Sequence, residues 1–143
     1  MLALAGSRCH GAALWLAGPC MLATFAIPAL RHAAHAAGRP PPRIAVALPI
    51  ALCDDAPRAR AAIDAFLDAV ARLPAYRRAL SREGAARPSD VAIVGDEAAL
   101  ASQLDRLAEL GVTDFNAVPV PIAGDPVCED RTRAWLAARA RAG

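Results

Sequence analysis

The sequence predicts an α/β domain with a parallel sheet, and three observations carry that prediction. Arg43 to Leu52 (RIAVALPIAL) is an almost unbroken apolar run rich in Ile, Val and Leu, the pattern of a strand covered on both faces. Shorter strand-like runs at Ala12–Ala17, Val91–Val94 and Asp114–Val120 alternate with stretches of helical periodicity, the order expected of a parallel sheet built from right-handed crossovers. Finally, 143 residues with 56% apolar and 21% charged side chains suffice for one core and are too few for two domains. Residues 1–143 are expected to form a single unit.

The first element has to be separated from a membrane segment. Gly11 to Leu30 carries no charge and is bracketed by Arg8 and Arg31, a length that matches a bilayer span, and a basic start followed by alanines has the look of a signal peptide. Gly18-Pro19 and Pro28 interrupt the run, however, and its alanines add little to insertion. The alternative parse is a strand Ala12–Ala17, a Gly-Pro turn and a helix from about Cys20 to Ala37. Pro19 then falls near the first turn, where its missing N–H costs nothing. Gly38, followed by Pro40, Pro41 and Pro42, stops that helix.

After the long strand, Asp54 and Asp55 precede an amphipathic helix in which Ile63, Phe66, Leu67, Val70 and Leu73 share a stripe. Arg60, Asp64, Asp68 and Arg72 step along its other side, most simply a solvated face worth tenths of a kcal/mol per pair. Pro74 restarts the chain into a second helix through Tyr76 to Arg82, closed by Gly84, so that residues 56–83 form an inserted helical pair. Asp96 is placed to cap a helix whose Leu100, Leu104 and Leu107 align, with Gly111 as its stop. A last helix is expected from about Asp125 to Ala140. A complete (β/α)8 barrel needs about 250 residues, so three or four such units make part of one.

Composition narrows the chemistry. All 16 basic residues are arginine, which excludes lysine Schiff bases and the lysine-bearing phosphate loop. A formal charge of +2 without a basic run gives no footprint for nucleic acid. Cys9, Cys20, Cys53 and Cys128 lack paired zinc-ligand spacing and are expected as free thiols of a cytoplasmic protein. His32 and His35 lie at helical spacing with no acidic or thiol partner nearby in sequence, so exposed helix histidines are expected and no metal site.

Seven phrases then occur in order. They are Trp15-Leu16-Ala17-Gly18-Pro19; Ala36-Ala37-Gly38-Arg39-Pro40 with Pro42-Arg43-Ile44; Asp54-Asp55; Leu73-Pro74-Ala75-Tyr76-Arg77; Arg82-Glu83-Gly84; Asp90-Val91-Ala92-Ile93-Val94-Gly95-Asp96-Glu97; and Gly111-Val112-Thr113-Asp114-Phe115. Together they resemble the C-terminal half of a luciferase-like monooxygenase, in the branch of oxidoreductases that depend on the deazaflavin coenzyme F420. The resemblance spans Met1 to about Ala140. It implies a partial TIM (β/α)8 barrel, with Ala12–Ala17, Ile44–Leu52 and Asp114–Val120 as its last three strands under their covering helices, and it assigns the uncharged run to strand plus helix, with no membrane partner. Two positions depart from the family: His10 stands where Asp is usual and Cys20 where a basic residue is usual. Met1 falls inside the helix that should follow the fifth strand, and in this family most deazaflavin contacts come from the strands before it.

The resemblance implies F420, with FMN as the alternative, and hydride transfer to a small organic substrate in an intact barrel. The residues themselves offer substrate-side candidates and no catalytic assignment. Asp54 and Asp55 lie where a barrel strand ends, at the active face of this fold, and paired carboxylates there could act as acid, base or ligand; alternatively, one of them caps the next helix. Tyr76 and Arg77 fall in the inserted pair, and Arg suits a phosphate or carboxylate tail, although Tyr76 at helical spacing from Leu80 also fits a core position. Trp15 could line the pocket or pack under the following helix. Three functions stay open: an oxidoreductase fragment expected to be inactive alone, a non-catalytic half barrel that self-associates through exposed strand edges, and a small membrane or exported protein.

Overall fold

The computed structural model describes residues 1–142. Helix α1 (Leu2–Arg8) leads into strand β1 (Gly11–Trp15); α2 (Pro19–Met21), a π-helical segment (Leu22–Ala26) and α3 (Ile27–Ala36) then run on as one rod into β2 (Arg43–Leu52). The helical pair α4 (Ala56–Ala71) and α5 (Pro74–Glu83) follows, then β3 (Ile93–Gly95), α6 (Glu97–Leu110), β4 (Asp114–Pro119) and α7 (Cys128–Ala142). All strand pairings are parallel and β2 is central. On one edge it pairs with β1, from Gly11↔Arg43 to Trp15↔Ala47, and on the other with β4, from Ala45↔Asp114 to Ile50↔Pro119. Beyond the end of β1, β3 takes over the first edge, pairing Ile50–Leu52 with Ile93–Gly95. This open parallel sheet with covering helices is part of a barrel.

Local chemistry explains the boundaries. β1 stops at Trp15, short of the expected Ala17, because Leu16 turns into the left-handed region at φ 55°. Its side chain is wholly buried and its N–H reaches the Ala47 carbonyl at 3.1 Å, so packing and pairing hold a backbone that a branched residue seldom adopts. The helix after it starts at Pro19, with Gly18 as N-cap. Pro28 has no N–H to offer Thr24, and the rod answers just before it with π-type bonding, the Ile27 N–H reaching the Leu22 carbonyl. α7 begins at Cys128 rather than near Asp125, which belongs to a turn bridged to Ile122. β3 begins at Ile93 because Pro88–Asp90 forms a 3-10 turn ahead of it.

The two faces of the sheet differ. Ile44, Val46, Leu48 and Ile50 of β2 are fully buried and form the centre of the core with Leu16, Leu22, Leu30, Ile63 and Leu100. On the opposite face Ala13 and Asn116 are exposed, and Trp15, Ala45, Ala47 and Val118 are only half-buried. The helices cover one face; the face that lines the lumen of a closed barrel is open around Ala13, Ala45, Ala47 and Asn116, while Pro49 and Ala51 further along β2 on that same side are buried.

Candidate functional site

The chemically richest cluster lies at the carboxyl end of β2, where its last residues meet the start of α7. The Leu52 N–H donates to the hydroxyl of Thr132 at 2.9 Å, and that wholly buried hydroxyl donates to the Cys128 carbonyl at 2.8 Å. The Cys128 thiol donates to the Leu52 carbonyl at 3.3 Å, and Arg131 Nη2 donates to the same oxygen at 3.3 Å. Two turns of one helix thus take up the hydrogen-bonding groups that the end of the strand would otherwise bury unpaired.

Arg131 organises the charges here. Its Nη1 donates to Asp54 at 3.2 Å, its Nη2 lies 3.7 Å from Asp125, and its buried Nε has no partner among the described residues. The hydrogen bond to Asp54 raises the Arg131 pKa further, so the group is a permanent cation. Cys53 and Cys128 are both buried. Burial pushes both thiols up, aided at Cys53 by the neighbouring Cys128 and opposed at Cys128 by the bond with Thr132, so both stay protonated and poorly nucleophilic. All four cysteines are free, with Cys9 and Cys20 exposed.

The candidate residues of the sequence separate into different roles. Asp55 accepts the Arg58 N–H at 3.0 Å as the N-cap of α4, the structural alternative for this pair. Asp54 remains at the mouth, paired with Arg131 and 91% exposed, so no wall keeps water from it. Trp15 is half-buried against the core at the end of β1. Tyr76 packs against the core from the inner face of α5, whereas Arg77, the next residue, faces outward; the structure does not bring the two together. His32 and His35 are exposed. Among the described residues no three His, Cys, Asp or Glu side chains are grouped to hold a metal ion, and no helix is long and apolar enough to cross a membrane.

Two carboxylates have uses that sequence spacing does not express. Glu83, at the end of α5, accepts the N–H groups of Cys20 at 3.0 Å and Met21 at 2.6 Å, satisfying free donors at the start of α2. A side chain on Gly18 would meet that carboxylate, which would have to swing away from the Cys20 and Met21 N–H groups. Asp64, expected on a solvated face, instead accepts both the N–H (2.9 Å) and the hydroxyl (2.8 Å) of wholly buried Ser89, with Arg87 at 3.5 Å. Arg60 donates to the Ser89 carbonyl. Of that row only Asp68 and Arg72, 2.8 Å apart, form the exposed pair expected. Sequence reasoning does not single out Arg131, Thr132 or Glu83; for the first two, the available signal is their spacing from Cys128 on the expected last helix.

The family model described as luciferase-like monooxygenase matches residues 1–114. Among solved structures, the chain is similar to the coenzyme F420-dependent tetrahydromethanopterin reductase from Methanopyrus kandleri, with a TM-score of 0.69 and 20% identity, over 91% of this chain and 44% of that one. It is also similar to an F420-dependent secondary alcohol dehydrogenase in complex with an F420–acetone adduct, with a TM-score of 0.65 and 15% identity, over 82% of this chain and 39% of that one. The chain therefore spans less than half the length of these structures. No curated protein matches the sequence.

Proposed function

The chain belongs to the luciferase-like monooxygenase family, and from that premise we propose that it is the closing portion of the barrel of a deazaflavin-dependent oxidoreductase, acting on a small organic substrate in the cytoplasm. F420 is the favoured coenzyme, because both structural neighbours described above are named for it; FMN is the alternative. When bound in a complete barrel, such a coenzyme supplies hydride transfer, and the protein supplies binding and orientation.

The observation that carries this reading is the open lumenal face, with the carboxyl ends of its strands presenting Trp15 and Asp54 on the side where barrel enzymes place their sites. The residues present do not enclose a coenzyme. Asp54 stands in water, and Ala13, Ala45 and Ala47 have no opposing wall, so no reaction step is assigned to this chain alone. Its own residues supply a rim: Arg131 fixes Asp54, Thr132 fixes the strand end, and Glu83 holds the helical pair against the turn after β1. Orientation can be worth about 7–11 kcal/mol of a barrier, and one wall does not provide it.

Fluorescence titration of the purified chain with oxidised and reduced F420 tests this. The expected result is weak or no binding and no turnover by the chain alone, with binding restored when the five preceding strand–helix units of a family member are supplied. Micromolar binding by a monodisperse monomer would overturn the argument from the open face. A second reading, a non-catalytic pairing module, is favoured by the outer edges of β1 and β4, which have no partner strand among the described residues. Sedimentation that shows stable dimers indifferent to the coenzyme would select it.

A further inference from the structure

The outer face of α5 carries a cluster of polar side chains apart from the strand-end cluster. Arg77, Arg78, Ser81 and Arg82 occupy positions i, i+1, i+4 and i+5 of this helix, so their side chains form a two-by-two array one turn apart. With Pro74 they line a shallow hollow of about 520 Å³. All four are exposed, and among the described residues none of the three arginines is in an ion pair.

That arrangement works against the helix that carries it. Arg78 and Arg82 are like charges at i, i+4, which repel, and the first turn of α5 contains no acid to answer the helix dipole. The one acid of the helix, Glu83, is committed to the Cys20 and Met21 N–H groups. The helix and one end of the array are also held in place. The Arg82 guanidinium stacks 3.9 Å from the centre of the Phe25 ring, Glu83 ties the end of the helix to α2, and Tyr76 and Leu80 pack its inner face. Three guanidinium groups with no ion-pair partner among the described residues, one of them fixed by stacking, and a hydroxyl around one hollow are donors awaiting an acceptor. Arginine's planar donors match phosphate oxygens in pairs.

We propose that the outer face of α5 binds a compact phosphate-class anion, a small phosphorylated ligand bridged by Arg77, Arg78 and Arg82 with Ser81 donating from its hydroxyl. All the groups of the array are exposed on this chain and belong to one helix, so this binding does not depend on a complete barrel or on the coenzyme.

Isothermal titration of the full chain with inorganic pyrophosphate, at about physiological salt, tests the proposal. The expected result is saturable one-to-one binding, weakened at least about tenfold in R78Q/R82Q and unchanged in R133Q, whose arginine is paired elsewhere with Glu129. Circular dichroism checks that the variants fold, and all three substituted positions are exposed. Heat that never saturates, or an equal loss in R133Q, would show simple charge screening and overturn the proposal. Binding to anionic vesicles or single-stranded RNA, with no saturable pyrophosphate binding, would overturn it in favour of a surface for those polymers. Because no coenzyme is present, failure here and failure of the oxidoreductase reading are distinguishable.

Discussion

The two faces of the sheet are built from the same strands by different rules. On the covered face, Ile44, Val46, Leu48 and Ile50 are branched, large and wholly buried; between them on the same strand, Ala45 and Ala47 are small and half-open. The covered face is complete within this chain, because every helix that packs on it is encoded nearby. The lumenal face is complete only when other strands curve round to meet it. The contrast shows that fold stability and the site are separable here: the first is supplied locally, the second depends on what stands opposite.

Substitutions can break or sharpen that contrast. The largest effect is expected at Ile50→Ala, which should cost about 2–5 kcal/mol of stability, whereas Ala13→Gln on the open face should stay within about 0.5 kcal/mol. Urea unfolding of both variants checks this, and a loss at Ala13 comparable to that at Ile50 would mean that the open face is covered in solution. Next, Thr132→Val keeps the volume but leaves the Leu52 N–H unpaired, at a cost of about 1–3 kcal/mol. Thermal denaturation reads it, and an unchanged midpoint would deny that α7 anchors the strand end. Asp55→Ala should then cost about 1 kcal/mol through the lost cap, while Asp54→Asn, at an exposed pair, should cost less than about 1 kcal/mol.

Solution chemistry adds two smaller tests. The buried thiols of Cys53 and Cys128, both raised in pKa, should resist iodoacetamide until the chain unfolds, while exposed Cys9 and Cys20 react at once; mass spectrometry of the native chain distinguishes them. Above the ordinary thiol range the unfolded chain releases these protons more readily, so stability should decline as pH rises there. Asp114 behaves in the opposite sense. Hydrogen bonds from Arg43 and Thr113 hold its carboxyl below the usual carboxylate range, so its contribution is present at neutral pH and is lost as pH falls through that depressed value. Asp114→Asn should flatten the acid limb of the stability profile, modestly, since Arg43 is mostly exposed.

What the sequence showed clearly were features with local causes. The apolar run of β2, the stops at Gly84 and Gly111, both in the left-handed conformation, and the Asp96 cap bonded to the Ala99 N–H each depend on a few adjacent residues. The order of the family phrases gave the barrel and the family to which the chain belongs. The site was less legible because its contacts join residues far apart in sequence. Arg131 meets Asp54 and Thr132 meets Leu52 only after α7 has docked, Glu83 meets Cys20 across the helical pair, and Asp64 looked like surface until Ser89 folded under it. Tyr76 and Arg77 are neighbours in the chain but differ in exposure, one packed on the core and the other in solvent; adjacency in a helix puts side chains about 100° apart, so no spacing rule joins them.

The π-helical turn at Leu22–Ala26 has a consequence for phase. The rod from Pro19 to Ala36 is fastened at both ends: Glu83 grips its start, while Leu30 and Ala34 bury their side chains near its end, where α1 brings Gly6 so close that a side chain there would strike the backbone. A π turn accommodates more residues per revolution than an α turn, so it acts as a rotary adjustment between two grips whose angular settings would otherwise conflict. Removing one residue from this turn would let it revert to α winding with both grips still in phase, whereas removing one from the α-helical stretch beside it, such as Ala29, would rotate one half against the other by about 100°, carrying Leu30 off the core. The turn is therefore where the rod can absorb a change of length, and a single deletion at exposed Ala23 or Thr24 should be tolerated where a deletion of Ala29 is not.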